Sequence, residues 1–336
     1  MSADYNKLSI ALHGGAGRGS DHHHMQKLPF IKEALEAGWQ ELCRGKPAEF
    51  AVVEALAVME GCEYFNAGYG GYPNVHGIVL LDVGLMRGNR DFVSLLNVRR
   101  MKYPSRVALD MMKYHSTLMT VWTHELMQEI DAAPEFVKRR YGLVEKHEDL
   151  IAPYVSKRIK DLKELEVESD SDTSCGTVGV VARDAYGGLA AGTSTGGTGF
   201  KFNGRIGDSP IIGSGVFADD EIGCLSTTGH GESLLLSLLS AFTLADIRAA
   251  LRSDPQAFKN NESLLSKILN SEIREFERKA PGQSGAIIVI PREGEPGFAL
   301  SSEKVSLGLR SGSPDKFNTD RVFVAVKNGA DQEFKC

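Results

Sequence analysis

Cysteine is scarce and unpatterned in this chain of 336 residues. Cys43, Cys62, Cys175, Cys224 and Cys336 are odd in number and form no C-x-x-C pair. That argues against a disulfide framework and for reduced thiols in a cytoplasmic setting. No apolar run reaches membrane-spanning length, so no membrane partner is expected. The first residues lack a basic start followed by an apolar stretch, so no signal peptide is expected. No Lys/Arg block is long enough to grip nucleic acid. Arg99-Arg100 and Arg139-Arg140 are isolated pairs in a chain of net charge −6, and they read as solvated surface. No loop follows G-x-G-x-x-G or G-x-x-x-x-G-K-[ST] between a strand and a helix, which disfavours a nucleotide-binding protein. No Ser-His-Asp pattern stands out, and no repeat recurs at a fixed period.

What remains is a sequence of ordinary globular texture, 42% apolar and 24% charged, long enough for one large domain or two. Leu8–Leu12 reads as a strand running into a glycine-rich turn at His13–Gly17. Residues 27–44 and 48–62 carry apolar side chains at helical spacing. Ile78–Leu81 reads as a buried strand and 105–130 as helix. From about 138 to 172 charged residues dominate. Residues 151–165 are partly helical in pattern, and Glu166–Asp172 reads as a mobile acidic linker. Glycines then crowd the stretch 176–231. Val178–Ala182 and Leu189–Thr193 read as strands joined by a hairpin at Tyr186-Gly187-Gly188. Strands at 211–217 and 222–227, helices at 232–243, 244–253 and 259–279, and strands at 285–290, 297–301 and 321–326 complete the pattern. Mixed elements with hairpins point to an α+β fold, not a doubly wound parallel sheet.

One constellation carries the chemistry. Gly176-Thr177-Val178-Gly179 is followed by Thr195, Arg205, Asp208 and Thr228 in glycine-rich settings. A threonine hydroxyl is a weak nucleophile without a nearby base. An N-terminal threonine carries its own base, since a free α-amino group has a pKa of roughly 7.7–8.0. Gly176 has no Cβ to block attack on its carbonyl and tolerates strained backbone angles. Thr177 therefore reads as a nucleophile that the chain exposes by cutting itself, with the acidic stretch upstream letting the new end depart. Arg205 offers a two-pronged donor for a carboxylate, and Asp208 a partner for an ammonium group. Together they suit an α-amino acid head group. Thr195 is placed to hydrogen-bond the nucleophile. Thr228 and the Gly229 N–H suit an oxyanion hole. Each residue has a plainer reading on its own: Arg205 and Asp208 pairing with each other in a turn, and the threonines as ordinary strand residues.

His13-Gly-Gly-Ala-Gly17, Phe65-Asn-Ala-Gly68, Asp82 with Met86, Gly176-Thr-Val-Gly179, Thr193-Ser-Thr-Gly-Gly197, Gly204-Arg-Ile-Gly-Asp-Ser-Pro210 and Thr228-Gly-His-Gly-Glu232 together resemble the plant-type L-asparaginase/isoaspartyl peptidase family of N-terminal-nucleophile hydrolases. The resemblance runs from residue 11 to about 233. It implies a single four-layer αββα sandwich over 1–336, cut into an α chain (1–176) and a β chain (177–336), with a mobile linker over about 150–176. Two such αβ units would associate as a homodimer. The implied substrates are small molecules, L-asparagine and isoaspartyl dipeptides, with no organic cofactor. By the same resemblance Thr177 is nucleophile and base and Thr195 supports it. Thr228 and Gly229 form the oxyanion hole, Arg205 and Asp208 hold the substrate with Gly229 and Gly231 beside them, and Asn66 assists self-cleavage. The loop 59–69 matches one that wraps a structural Na⁺ with the backbone carbonyls of Met59, Glu60, Cys62, Phe65, Ala67 and Tyr69. Hard cations prefer such oxygens.

The chain departs from the family pattern in places. Ser284-Gly285 stands where a Gly-Gly pair is usual, Leu300-Ser301-Ser302 where Phe-Asn-Thr is usual, and Leu80 where an acidic residue is usual. Segment 89–101 lacks a clear match. These departures bear on substrate preference and efficiency more than on fold. They keep a slow or inactive relative open, and the related glycosylasparaginases form another alternative. The Gly-Thr junction and the Gly-His-Gly-Glu end favour the asparaginase side. Four features are expected to be decoys. His22-His23-His24 reads as an exposed loop, not a metal site. His13 and His230 read as structural hydrogen-bonding residues in turns. Cys175 sits on the departing chain end. Asp172-Thr173 mimics a cleavage junction, but no strand follows it directly.

Overall fold

The computed structural model describes residues 3–17, 20–164 and 176–334. The strands among them are β1 (Leu8–Gly17), β2 (Leu81–Arg87), β3 (Phe92–Val98), β4 (Thr117–Val121), β5 (Val178–Arg183), β6 (Leu189–Thr195), β7 (Val216–Asp219), β8 (Gly223–Gly229), β9 (Gly285–Pro291), β10 (Gly297–Leu300), β11 (Lys304–Ser313), β12 (Lys316–Val326) and β13 (Gln332–Glu333). The helices are α1 (Asp21–Cys43), α2 (Ala48–Glu60), α3 (Pro104–Met111), α4 (His124–Asp131), α5 (Glu135–Tyr141), α6 (Pro153–Glu164), α7 (Gly231–Ser237), α8 (Leu239–Ser253), α9 (Ala257–Asn260) and α10 (Glu262–Lys279).

The strands form two sheets. One has the order β13-β12-β11-β1-β5-β6-β2-β3-β4, the other β10-β9-β8-β7. Neighbours pair antiparallel except β3 and β4, which run parallel. Helices α1 and α2 lie on the larger sheet, α8 and α10 on the smaller. The two sheets meet through β1 with β9, β5 with β8 and β6 with β7.

Side-chain alternation along each strand sorts the core into separate clusters. On β5, Val178, Val180 and Ala182 join Leu35, Val52 and Leu56 under the helices of the larger sheet, while Val181 points the other way. That opposite face meets Cys224 of β8 and Ile288 and Ile290 of β9 between the sheets. On the smaller sheet Leu225, Ile287 and Val289 turn outward to Leu269, Ile273 and Phe276 of α10. The same parity sends residues 177, 179, 193, 195, 226 and 228 into the space between the sheets.

Several sequence expectations change. His13–Gly17 is not a turn: β1 continues through it with a bulge between His13 and Ala16. α1 begins at Asp21, capped by Ser20 accepting the His23 N–H, so the histidine triplet is helical and not an exposed loop. His24 is fully buried, and His23 stacks on Tyr154. No group of three or more metal-ligating side chains gathers among the described residues. The 105–130 stretch splits into α3, β4 and α4, because β-branched residues at 117–121 extend beside β3. β2 starts at Leu81, where Ile78–Leu81 was expected to be the strand. β11 was not anticipated, although Val305, Leu307 and Leu309 alternate with Ser306, Gly308 and Arg310. In the charged stretch, His147–Leu150 forms a 3-10 turn, and Pro153–Glu164 forms a helix where the pattern over 151–165 was read as partly helical. Glu166–Asp172, Asp172-Thr173 and Cys175 lie outside the described residues.

Candidate active site

Thr177 sits at the head of β5, 8% exposed, facing the space between the sheets. Its Oγ1 lies 2.9 Å from Thr195 Oγ1, at the end of the adjacent strand β6. Antiparallel pairing of Val178 with Ser194 brings the two hydroxyls side by side. Thr195 Oγ1 also accepts the Gly197 N–H at 3.0 Å. Its single proton is therefore free to be given to Thr177.

The peptide before Thr177 is squeezed. Gly176 has φ +139°, and a Cβ there would lie 2.5 Å from the Asn66 nitrogen. On the other side, a Cβ on Gly15 (φ +94°) would lie 2.4 Å from Gly176 Cα. Only glycine fits both places, and the peptide that precedes Thr177 runs between two backbones. Asn66 is itself locked. Its Oδ1 accepts Tyr72 N–H at 2.9 Å, and its Nδ2 donates to Gly197 O. Asn66 thus presses its main chain, not its amide, on Gly176.

Thr228 is fully buried on β8, and its Oγ1 accepts the Ala16 N–H at 3.2 Å, which links the smaller sheet to the bulge of β1. Gly229 has φ +146°, and a Cβ there would meet Ser284 O at 2.2 Å. The His230 N–H donates to that same carbonyl at 2.9 Å. Ser301 and Ser302 both donate N–H to Gly285 O, at 2.8 and 3.2 Å. The departures at 284–285 and 301–302 therefore gather in one place, behind the Gly229 turn.

Arg205 and Asp208 do not pair with each other. Arg205 forms a fork with Glu232, Nε to Oε1 at 2.8 Å and Nη2 to Oε2 at 2.6 Å. Asp208 Oδ2 accepts the Thr227 hydroxyl at 3.1 Å. Both flank Gly231: a Cβ at that position would lie 3.0 Å from Arg205 Nη2 and 3.1 Å from Asp208 Oδ1. Removing that side chain leaves a space bordered by a cation and a carboxylate. Burial pushes the Asp208 carboxyl up to about 6, against the smaller pull of the Thr227 hydrogen bond.

Two contributors were not foreseen. Glu232 belonged to a recognised motif, yet nothing in the sequence said that its partner would be Arg205. Lys201 is buried, with Nζ 2.8 Å from Leu80 O and 3.4 Å from Asp82 Oδ2. Burial lowers the lysine and raises Asp82, each opposed by the other's charge. This pair anchors the loop that carries Arg205. Residue 80 thus supplies its carbonyl where the pattern led one to look for a carboxylate.

The loop after α2 turns carbonyls inward. A Cβ on Gly70 would lie 2.1 Å from Phe65 O, 2.9 Å from Cys62 O and 3.0 Å from Glu63 O. A Cβ on Gly68 would lie 2.3 Å from both Glu60 O and Lys102 O. Met59 O, Phe65 O and Ala67 O already accept N–H groups from Cys62, Ala67 and Gly70. Of the six expected carbonyls, those of Glu60, Cys62 and Phe65 crowd these glycines, and Glu63 and Lys102 join them. An all-oxygen set of this kind suits a hard cation.

His230 caps α7, its side chain accepting from Ser233 N. Cys43, Cys62 and Cys224 are free thiols, and burial pushes Cys62 to about 11 and Cys224 to about 12, which makes both inert. Among the described residues no single helix is long and apolar enough to cross a membrane.

The sequence pattern of the family described as Asparaginase matches residues 6–317. The chain is 32% identical over 303 residues to an isoaspartyl peptidase/L-asparaginase of Xenopus laevis, covering 89% of this chain and 91% of that one. It is 31% identical over 305 residues to an isoaspartyl peptidase of Salmonella typhimurium, covering 89% and 93%. A plant-type L-asparaginase of Pyrococcus horikoshii is 31% identical over 305 residues, with 89% and 95% covered.

Proposed function

Because the chain belongs to the asparaginase family, we propose that it is a self-processing threonine hydrolase that releases L-aspartate from L-asparagine and from isoaspartyl dipeptides. The contact that carries this reading is Thr177 Oγ1 beside Thr195 Oγ1 at 2.9 Å, at the end of the peptide clamped between Gly15 and Asn66. In the first step Thr177 Oγ attacks the Gly176 carbonyl, and the peptide nitrogen departs as the Thr177 amine. Water hydrolyses the resulting ester and frees the two chains, 1–176 and 177–336. The freed amine, with a pKa of roughly 7.7–8.0, then serves as base for the same hydroxyl.

In the second reaction the substrate carboxylate meets Arg205 and its ammonium meets Asp208. Thr177 Oγ attacks the side-chain carbonyl, and the oxyanion is met by the Thr228 hydroxyl and Gly229 N–H. Ammonia or an amino acid leaves with the proton taken from Thr177. Water then cleaves the β-aspartyl ester to aspartate and restores the hydroxyl.

The two facing sheets between helices support a four-layer αββα sandwich of the N-terminal-nucleophile type. The loop around Gly68 and Gly70 supports a structural Na⁺. Exposed Leu236, Leu238 and Phe242, close together in sequence, support association of two αβ units. The free thiols of Cys43, Cys62 and Cys224 support a cytoplasmic setting.

Intact-mass analysis of purified, aged protein with N-terminal sequencing tests the reading. A fragment beginning Thr-Val-Gly-Val is expected, together with aspartate release. Thr177→Ala should remain one uncut chain without activity. Cutting between 176 and 177 in that variant would refute the mechanism, and a wild-type chain that never cuts would point to a binding role instead.

A further inference from the structure

Beneath the catalytic threonines lies a second layer of polar side chains with no role in the chemistry above. His13 is 1% exposed, and its Nε2 lies 2.9 Å from Ser226 Oγ. Ser226 Oγ lies 2.6 Å from Thr193 Oγ1, and Thr193 donates to Gly215 O at 2.9 Å. Ser226 and Thr193 are fully buried.

The placement of this layer is regular. Thr193 is two residues before Thr195, Ser226 two before Thr228, and Gly179 two after Thr177. Side chains two apart on a strand share a face. Thr193 and Ser226 therefore each sit directly under a catalytic threonine on the same strand, and His13 reaches Ser226 from the neighbouring strand β1. Gly179 keeps the space open, since a Cβ there would lie 2.0 Å from Ser226 Oγ and 2.2 Å from His13 Nε2. His13 pairs with Gly179 across β1 and β5, and the main chain of Thr177 reaches its ring.

His13 Nε2 and Ser226 Oγ share one hydrogen bond whose direction follows the ring tautomer, and Ser226 and Thr193 share another in which either hydroxyl can donate. Burial holds the ring at a pKa of about 3, so it is neutral in ordinary buffer and does not take the nucleophile's proton.

We propose that His13 is a positioning residue for the reaction: through Ser226 and Thr193 it sets the mutual placement of the strand ends that carry Thr177, Thr195 and Thr228. This rests on the reading of Thr177 as nucleophile. The chain spans both sheets, so it fixes a spacing that neither sheet's backbone ladder can fix alone. An error of about 1 Å in such a spacing costs on the order of 10²-fold in rate.

The test compares His13→Leu, His13→Gln, Ser226→Ala and Thr193→Val with the wild type. It measures the rate of cutting at 176–177, kcat and KM for a β-aspartyl substrate, and thermal unfolding. His13→Leu and Ser226→Ala should slow both cutting and kcat by on the order of 10- to 100-fold, with KM nearly unchanged because Arg205 and Asp208 are untouched. His13→Gln, whose amide can either donate to or accept from Ser226, should recover most of the loss. If His13→Leu fails to fold, the smaller changes Ser226→Ala and Thr193→Val decide. Wild-type rates in folded variants would overturn the proposal even if their unfolding temperatures fall. So would a rise in KM alone, or a glutamine variant no better than leucine. A wild-type chain that neither cuts nor hydrolyses would instead overturn the assignment of Thr177, and this proposal with it.

Discussion

In the proposed reaction Asp208 must be charged to hold an ammonium group, yet it is buried. Burial raises its pKa to about 6, against an ordinary value near 3.8. Below that pH the carboxyl is neutral and the substrate ammonium loses its partner. We expect kcat/KM to fall as pH drops through about 6, over and above the loss from protonating the Thr177 amine. Asp208→Asn should lower kcat/KM at every pH and remove this part of the acid limb. An unchanged acid limb in the variant would exclude Asp208 from the site. Arg205 shows why single residues mislead. Sequence alone offered Asp208 as its partner, four positions from Gly204, yet Glu232 takes the guanidinium because the turn after β8 folds back over it. A fork to Glu232 orients Arg205 without consuming all five of its donors.

At the scale of elements, the junction before β5 depends on close backbone approach. β1 continues through its glycines so that Gly15 can touch Gly176. Gly15→Ala would set a Cβ 2.4 Å from Gly176 Cα at φ +94°, a position strained for any L side chain. The expected outcome is a destabilised chain, by more than about 1 kcal/mol in chemical denaturation, that cuts slowly or not at all at 176–177. Normal cutting would mean that the squeeze on Gly176 is incidental. The elements themselves were legible unequally. The hairpin of β5 and β6 could be read because Tyr186-Gly187-Gly188 separates two apolar runs. The break into α3, β4 and α4 could not, because local apolar spacing there fits a helix, and only pairing with β3 settles the choice. β11 was hidden because Gly308 and three serines dilute its alternation, although the strand is buried by its neighbours on both sides.

For the molecule as a whole, burial of histidine sets the response to acid. His13 and His24 are held near 3 and His23 near 2, chiefly by burial, against an ordinary 6.5. Between those values the unfolded chain binds more protons than the folded one, so stability falls as pH drops through about 6.5 toward 3. Glu60 and Asp208 act in the opposite sense, since burial raises them to about 7 and 6 and the folded chain binds more protons from about pH 4 upward. Asp82 is raised by burial as well and joins the carboxyls, and with three histidines on the other side the expected outcome is a drop in unfolding temperature between pH 7 and pH 4. A flat or rising profile would mean that these histidines are not buried neutral in solution.

The sequence by itself determined which residues could do the chemistry. A glycine before a threonine, an arginine and an aspartate in a glycine-rich turn, and threonines near strand ends are chemical types, and chemical type is written directly in the chain. Only the tertiary structure decided which groups meet. Hydrogen bonds and ion pairs depend on distances of a few ångströms between residues far apart in sequence. Thr177 meets Thr195 because β5 pairs with β6, a contact between residues 18 apart, whereas His13 meets Ser226 because two sheets pack face to face. That spacing is set by the summed volume of the side chains between them, a property of the packed interior and of no single segment.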